Sequence, residues 1–291
     1  MPHPAIYGRE VCMKDVTQAL LRLIQSNWRR VALGLLSMAV FLTLWSLYAA
    51  WLRAEWPFQG TPSGAWEYVP YPWEVLEAFY LSFWSHPVSG LYMGSHVYAS
   101  LKRIVAGFVL AFALAVPAGL LMGRLWTAES IGKPVVELFR PIPPLAWIPI
   151  FLVVFGITWG PIGIVFLGVF FPILLNVQLG ARSVDPTLID AARTLGTRKM
   201  DIFLKVVLPS TVPYLITGVT VGLGIGWMCI VAAEMLGAVG GGVGYFIFTA
   251  AGNSQYPYMY AGMLMIGILS ILTTGVAGLL ERRLSKWMGM R

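Results

Sequence analysis

The sequence predicts an all-α integral membrane protein with six transmembrane helices and cytoplasmic termini, and three observations predict it. Of the 291 residues, 58% are hydrophobic and only 11% are charged, whereas a soluble domain carries about a quarter charged residues. Apolar runs of about 20 residues, long enough to cross a bilayer as helix, recur along the chain. Basic residues concentrate in alternate connections between those runs and in the two tails. With so few polar groups a water-facing surface cannot be covered, which excludes a soluble enzyme, a disordered regulator and a nucleic-acid-binding domain despite a formal charge of +7. Cys12 lies in a basic tail and Cys229 in an apolar run, so neither a disulfide framework nor a cysteine metal site is expected.

The spans read as Val31 to Leu52, Val97 to Gly123, Val135 to Ile157, Pro161 to Leu179, Val212 to Leu236 and Met259 to Leu280. The first is expected to persist as a span, because it follows the mostly polar tail 1–30 and lacks a small-residue cleavage site behind it. Arg9, Lys14, Arg22, Arg29 and Arg30 precede it, and Arg124, Lys133 and Arg140 lie between spans two and three. Arg182, Arg193, Arg198, Lys199 and Lys205 lie between four and five; Arg282, Arg283, Lys286 and Arg291 follow six. Of the 20 Lys and Arg only Arg53, Lys102 and Arg103 lie elsewhere, and the positive-inside rule makes those segments cytoplasmic.

The opposite side is aromatic. Trp51, Trp56, Trp66, Tyr68, Tyr71, Trp73, Trp84 and Tyr92 crowd the first outer loop, and Tyr245, Tyr256, Tyr258 and Tyr260 the last, as rings that prefer the headgroup level do. Within the first loop Trp73, Leu76, Phe79, Tyr80, Phe83 and Trp84 recur at helical spacing behind Pro72, opposite Glu74, Glu77 and Ser82. This is either a short helix lying on the outer membrane surface or a packed loop helix that touches no lipid.

Between spans four and five, Ser183 to Pro209 is too polar for lipid yet full of helix signals. Asp185 is a good N-cap and Pro186 suits the first helical position, so a helix should run to about Leu195 and stop at Gly196. Thr197 can cap a second helix that ends in Leu208-Pro209. A helix, a glycine elbow and a second helix make a compact cytoplasmic knob of the kind that docks into a groove on another protein.

These residues resemble a known pattern. Asp190-Ala191-Ala192, three residues, Gly196, nine residues, then Val206-Val207-Leu208-Pro209 is similar to the EAA loop in permease subunits of bacterial ABC importers, with Asp190 in place of Glu and Val206 in place of Ile. Further residues resemble the nitrate/sulfonate/taurine/bicarbonate branch: Ser100-Leu101-Lys102-Arg103 leading to Gly107, Arg140 to Pro149, Ser183-Val184-Asp185-Pro186, and Ala232 to Gly237. The likeness covers about His96 to the C-terminus. It implies a multi-pass protein of the bacterial inner membrane, a second copy of the permease, two cytoplasmic ATPase subunits and an external solute-binding protein. It also assigns coupling to the ATPase to Asp185, Asp190, Ala191, Ala192, Gly196, Leu208 and Pro209. The solute would be a small anion or organic anion such as nitrate, bicarbonate, a sulfonate or taurine; a neutral vitamin or pyrimidine precursor is the alternative within the family. A stand-alone carrier or channel would have no use for the knob, and a membrane enzyme would need a cluster of His, Asp and Glu that the sequence does not offer. The expected division is 1–30 tail, 31–52 first span, 53–95 outer loop, 96–281 five-helix core with the coupling loop 183–209, and 282–291 tail.

Gly240-Gly241-Gly242-Val243-Gly244 lacks a following Gly-Lys-Ser/Thr and falls outside, so it reads as a tight outer turn. No cofactor is expected in this chain; ATP and magnesium belong to the partner subunit. Gly218, Gly222 and Gly226, with Gly224 beside them, suggest close helix packing in the subunit or across a dimer, with room for a solute as the other reading. Pro141, Pro143, Pro144 and Pro149 remove backbone donors a lipid-facing helix would need, so Pro143, Pro144 and Trp147 are assigned to the pathway wall. Lys102 and Arg103 either snorkel outward or form an electropositive mouth, and Glu234 reads as a hydrogen-bonded anchor of the outer region; all three join the pathway list. His86 and His96 receive no metal role, and Asn176 and Gln178 are expected to bond between helices.

Overall fold

The computed structural model describes residues 28, 31–53, 69–85, 88–237 and 240–287. The N-terminal tail with Cys12, the loop stretch with Trp56, Trp66 and Tyr68, His86, and the last four residues lie outside the described residues. The helices are α1 (Val31–Arg53), α2 (Pro72–Trp84), α3 (Met93–Arg124), α4 (Trp126–Phe139), α5 (Ile148–Arg182), α6 (Pro186–Thr194), α7 (Lys199–Ile202), α8 (Leu208–Met235), α9 (Val243–Gly252) and α10 (Tyr256–Trp287). A 3₁₀ turn, Pro144–Trp147, precedes α5, and a π-helical turn, Phe203–Val207, joins α7 to α8. There is no strand among the described residues.

The chain divides into two units, 1–74 and 75–291. In the first, α1 exposes nearly all its side chains, as a lipid-facing span does. Beyond it Arg53 donates to both carboxylate oxygens of Glu74 at 3.1 and 2.8 Å, and its guanidinium sits 4.0 Å over the Tyr71 ring. The α2 helix begins here and continues into the second unit, where Val75, Ala78 and Ser82 are buried while Trp73, Leu76, Tyr80 and Trp84 are exposed. Ser82 therefore departs from the expected polar outer face. Its hydroxyl donates to the Phe79 carbonyl at 2.7 Å, which satisfies it without water.

Among the described residues five helices, where six spans were expected, are long and apolar enough to cross a membrane: Val31–Arg53, Met93–Arg124, Pro144–Arg182, Lys199–Met235 and Tyr256–Leu279. The expected span from Val135 to Ile157 is broken. α4 stops at Phe139, a turn follows through the prolines, and the helix resumes with Pro149 in its first turn, where no donor is required. At Gly156 (φ +72°) the chain then reverses inside what otherwise reads as one long α5.

Glycine contacts give the directions of the helices. A side chain at Gly107 of α3 would strike Val165 and Ile162, one at Gly119 would strike Leu174 and Val177, and one at Gly123 would strike Ala181 and Gln178. Both numbers rise together, so α3 and residues 157–182 of α5 lie parallel. The 32 residues between them, 125–156, must therefore bring the chain back. They do so in steps: Glu129 pairs with Arg182, Phe139 to Trp147 lie against Leu167 and Phe171, and Phe151 and Leu152 meet Gly163 and Gly160.

α8 lies antiparallel to α5, with Gly218 on Ile173 and Asn176, Gly222 on Val169, and Tyr214 on Gly180. The glycine stripe of α8 is thus a contact within the subunit. Trp227 Nε1 donates to Thr273 Oγ1 at 2.9 Å, fastening α10 to α8. Asn176 corrects its expectation: its amide donates to the Pro172 carbonyl of its own helix at 2.8 Å. Gln178 lines an inner cavity of about 410 Å³ with Arg140 and Arg182.

Gly119→Ala places a methyl 2.7 Å from the Leu174 carbonyl oxygen and should destabilise the fold by about 1–3 kcal/mol. Gly224→Ala meets nothing within 4 Å and should stay within about 1 kcal/mol of wild type. Thermal unfolding of the two variants in detergent measures the difference; equal midpoints would refute the contact.

Candidate functional site

Glu234 lies at the C-terminal end of α8 and is 0% exposed. A carboxylate in such surroundings costs several kcal/mol unless it is paired and hydrogen-bonded. Arg103 Nη1 donates to its Oε1 at 2.7 Å, and Ser100 Oγ lies 2.9 and 2.8 Å from its two oxygens. The backbone N–H of Gly244 donates to Oε2 at 3.1 Å, at the start of α9. Arg103 Nη1 also donates to the Gly241 carbonyl at 2.7 Å. Ser100 Oγ in turn accepts from the Val243 N–H at 2.9 Å.

His96 extends the network. Its Nδ1 accepts from the Gly242 N–H at 3.0 Å, which leaves the proton on Nε2, 2.7 Å from Ser89 Oγ. His96, Ser100 and Arg103 occupy one face of α3 by their spacing. The loop that meets them is the glycine run, with φ of +79° at Gly240, +85° at Gly241 and +153° at Gly242. A β-carbon at Gly242 would lie 2.4 Å from Glu234 Cδ, so glycine is what lets the backbone donors approach the carboxylate. The run is a turn, as its sequence implied, and it leads into α9, an apolar helix that the hydropathy reading missed.

The six residues assigned to the pathway do not converge. Arg103 is 8% exposed and bound to Glu234, so it does not snorkel. Lys102 is exposed and, with Tyr98 and Trp159, lines an open groove of about 800 Å³ between α3 and the start of the descending part of α5. Pro144 and Trp147 line a separate small pocket of about 50 Å³, with Pro143 just before it. Among the described residues no group of His, Cys, Asp and Glu could hold a metal ion. Ser89, Ser100 and His96 were not recognised as site residues in the sequence. The spacing of His96 and Ser100 on α3 is visible there, but the loop they bind lies more than 130 residues away, and Ser89, which precedes α3, joins only through His96.

At the other end, Asp185 caps α6 by accepting from the Thr187 N–H at 2.9 Å, a bond that holds its carboxyl below the usual carboxylate range. Asp190 pairs with Arg193 across one helical turn at 3.1 Å. Gly196 has φ +73°; its N–H reaches the Arg193 carbonyl and that of Thr197 reaches Ala192, the two bonds of a Schellman stop. Thr197 does not cap the next helix, because Arg198 holds the N-cap position of α7 and makes no side-chain cap bond. Nor does that helix end at Leu208-Pro209. The π turn widens the backbone before Pro209, where an α-helical carbonyl four residues back would clash with the ring, and α7 runs on into α8. The knob exposes Leu188, Ala191, Leu195, Met200 and Leu204.

Glu234→Gln or Arg103→Gln alone should cost about 3–5 kcal/mol by stranding the buried partner, and the double substitution should cost clearly less than the sum. Thermal stability of the three variants in lipid nanodiscs measures this; strict additivity would show that the pair is not coupled.

Comparison with known proteins accords with this geometry. The family model for the binding-protein-dependent transport system inner membrane component matches residues 115–286. A putative ABC transporter permease of Methanocaldococcus jannaschii is 42% identical over 210 residues, covering 70% of this chain and 79% of that protein. The taurine transport system permease protein TauC of Escherichia coli is 32% identical over 262 residues, covering 90% and 91%. The nitrate import permease protein NrtB of Synechococcus elongatus is 32% identical over 262 residues, covering 87% and 86%. Inward-facing structures of the MetNI methionine ABC transporter share the fold, one with a TM-score of 0.56 at 24% identity over 65% of this chain and 94% of that one. The chain therefore belongs to the inner-membrane permease family of binding-protein-dependent ABC transporters, as a multi-pass membrane subunit.

Proposed function

We propose that this permease forms half of the translocation pathway of an ATP-driven importer, pairing with a second copy and two cytoplasmic ATPase subunits. The solute is a small anion or organic anion of the nitrate, bicarbonate, sulfonate or taurine type, handed over by an external binding protein. The knob carries this reading. It is a capped helix and a positive-φ glycine elbow with exposed apolar side chains, which is what a coupling element needs and a stand-alone carrier does not. The taurine and nitrate permeases among the relatives support the solute class.

In this reading ATP and magnesium bind the ATPase subunits, and the chain crosses the membrane six times with both termini cytoplasmic. The broken segment 125–156 makes one crossing without a continuous helix. α4 rises about 21 Å over its 14 residues, and the 12 residues from 144 to 155 rise about 18 Å. Together these exceed a hydrocarbon core of about 30 Å.

Gly196→Val should abolish solute-stimulated ATP hydrolysis while the permease still inserts, because a β-branched residue resists φ +73°. Gly196→Asn, which tolerates that region, should retain coupling. Co-purification of the ATPase together with stimulated hydrolysis in Gly196→Val would remove the knob from this role. A cysteine at exposed Ser254 should react with a membrane-impermeant thiol reagent in intact cells, and one at Thr197 should not; the reverse pattern would invert the orientation.

A further inference from the structure

The open groove beside the buried ion pair has a composition that narrows the solute. One wall is the face of α3 that carries Ser95, Tyr98 and Lys102; the other is Thr158, Trp159 and Ile162 at the start of the descending part of α5. Adjacent basic residues on α3 have separate fates. Arg103 turns inward and its charge is met by Glu234, whereas Lys102 makes no hydrogen bond or ion pair among the described residues. The hydroxyls of Ser95 and Thr158 also have no intramolecular partner among them. An ammonium without a partner on a membrane-spanning helix faces water or a ligand and not lipid. Apart from these three polar groups and the edge of Arg103, the walls are apolar or aromatic.

We propose that this groove is an outer docking site for an organic anion, whose acidic head meets Lys102 with help from Ser95 and Thr158 while its apolar body lies against Tyr98, Trp159 and Ile162. A bare inorganic anion would use the head-group donors and leave the apolar wall unfilled. A neutral solute would leave the Lys102 charge unmatched. The inference rests on the importer reading and selects, within it, a sulfonate or carboxylate with a hydrocarbon body.

The test uses the whole transport complex in lipid nanodiscs, with Cys12→Ser and with Cys229, 1% exposed, retained. Ala99→Cys, one turn before Lys102 on the groove wall, is labelled with the anionic 2-sulfonatoethyl methanethiosulfonate and with its cationic trimethylammonium counterpart. The anionic reagent should react faster. Lys102→Gln should slow it about fivefold, the scale of one exposed charge interaction, without slowing the cationic one. Butanesulfonate should protect the cysteine and equimolar nitrate should not. Absence of labelling by either reagent would mean that lipid or the second copy covers the groove, and would overturn the proposal. An unchanged anionic rate in Lys102→Gln, or protection by nitrate equal to that by butanesulfonate, would also overturn it. Labelling needs neither ATP nor a binding protein, so its failure leaves the coupling role of the knob standing, and an uncoupled knob leaves the labelling result intact.

Discussion

A single carboxylate sets the conditions where α3, α8 and α9 meet. Glu234 is fully buried, so the lone pairs it presents must find donors within the protein, and the donors come from two separate helices. Arg103 and Ser100 reach it from α3, and Gly244 from the first turn of α9. The glycines 240–242 have to pass close over the carboxylate, and a side chain at Gly242 would occupy the space of the carboxylate itself. One buried charge thus dictates a positively charged neighbour, a glycine-rich crossing and the docking of a helix N-terminus. His96 repeats the scheme on a smaller scale by accepting the Gly242 N–H.

Beneath that cluster the bundle depends on close approach. α5 is nearly all apolar and packs between α3 and α8, and the small residues at its contacts let backbones meet where bulkier side chains would hold them apart. Gly107, Gly119 and Gly123 serve one interface, and Gly218, Gly222 and Gly226 the other. With little hydrophobic drive between helices in lipid, such packing together with a few interhelical bonds, Trp227 to Thr273 among them, holds the elements in register.

Local chemistry was legible in the sequence and long-range chemistry was not. Asp185, Pro186 and Gly196 declare the first helix of the knob because capping is a matter of neighbours, and the observed α6 begins and stops where they place it. The helix inside the first outer loop was legible for the same reason. Hydropathy found the continuous spans but treated Val135 to Ile157 as one, since an average over apolar residues does not register a proline-broken turn or a reversal at one positive-φ glycine. The Thr197 cap failed because the Schellman stop of α6 takes up the Thr197 N–H, and α7 begins one residue later, with Arg198 at its N-cap. As for the outer cluster, Glu234 and Arg103 each stood out as charges out of place, yet their pairing depends on contacts 131 residues apart that no local pattern encodes.

The continuity of α7, the π turn and α8 has a mechanical meaning. From Lys199 to Met235 the chain is helical for 37 residues, about 55 Å end to end. Its N-terminal half holds the widened turn and two prolines, Pro209 and Pro213, where the ladder of hydrogen bonds is weakest. From there outward no proline interrupts it. The element is a stiff rod on a compliant wrist: bending concentrates beside the knob, while a tilt of the outer portion carries Glu234, and everything bonded to it, as one piece.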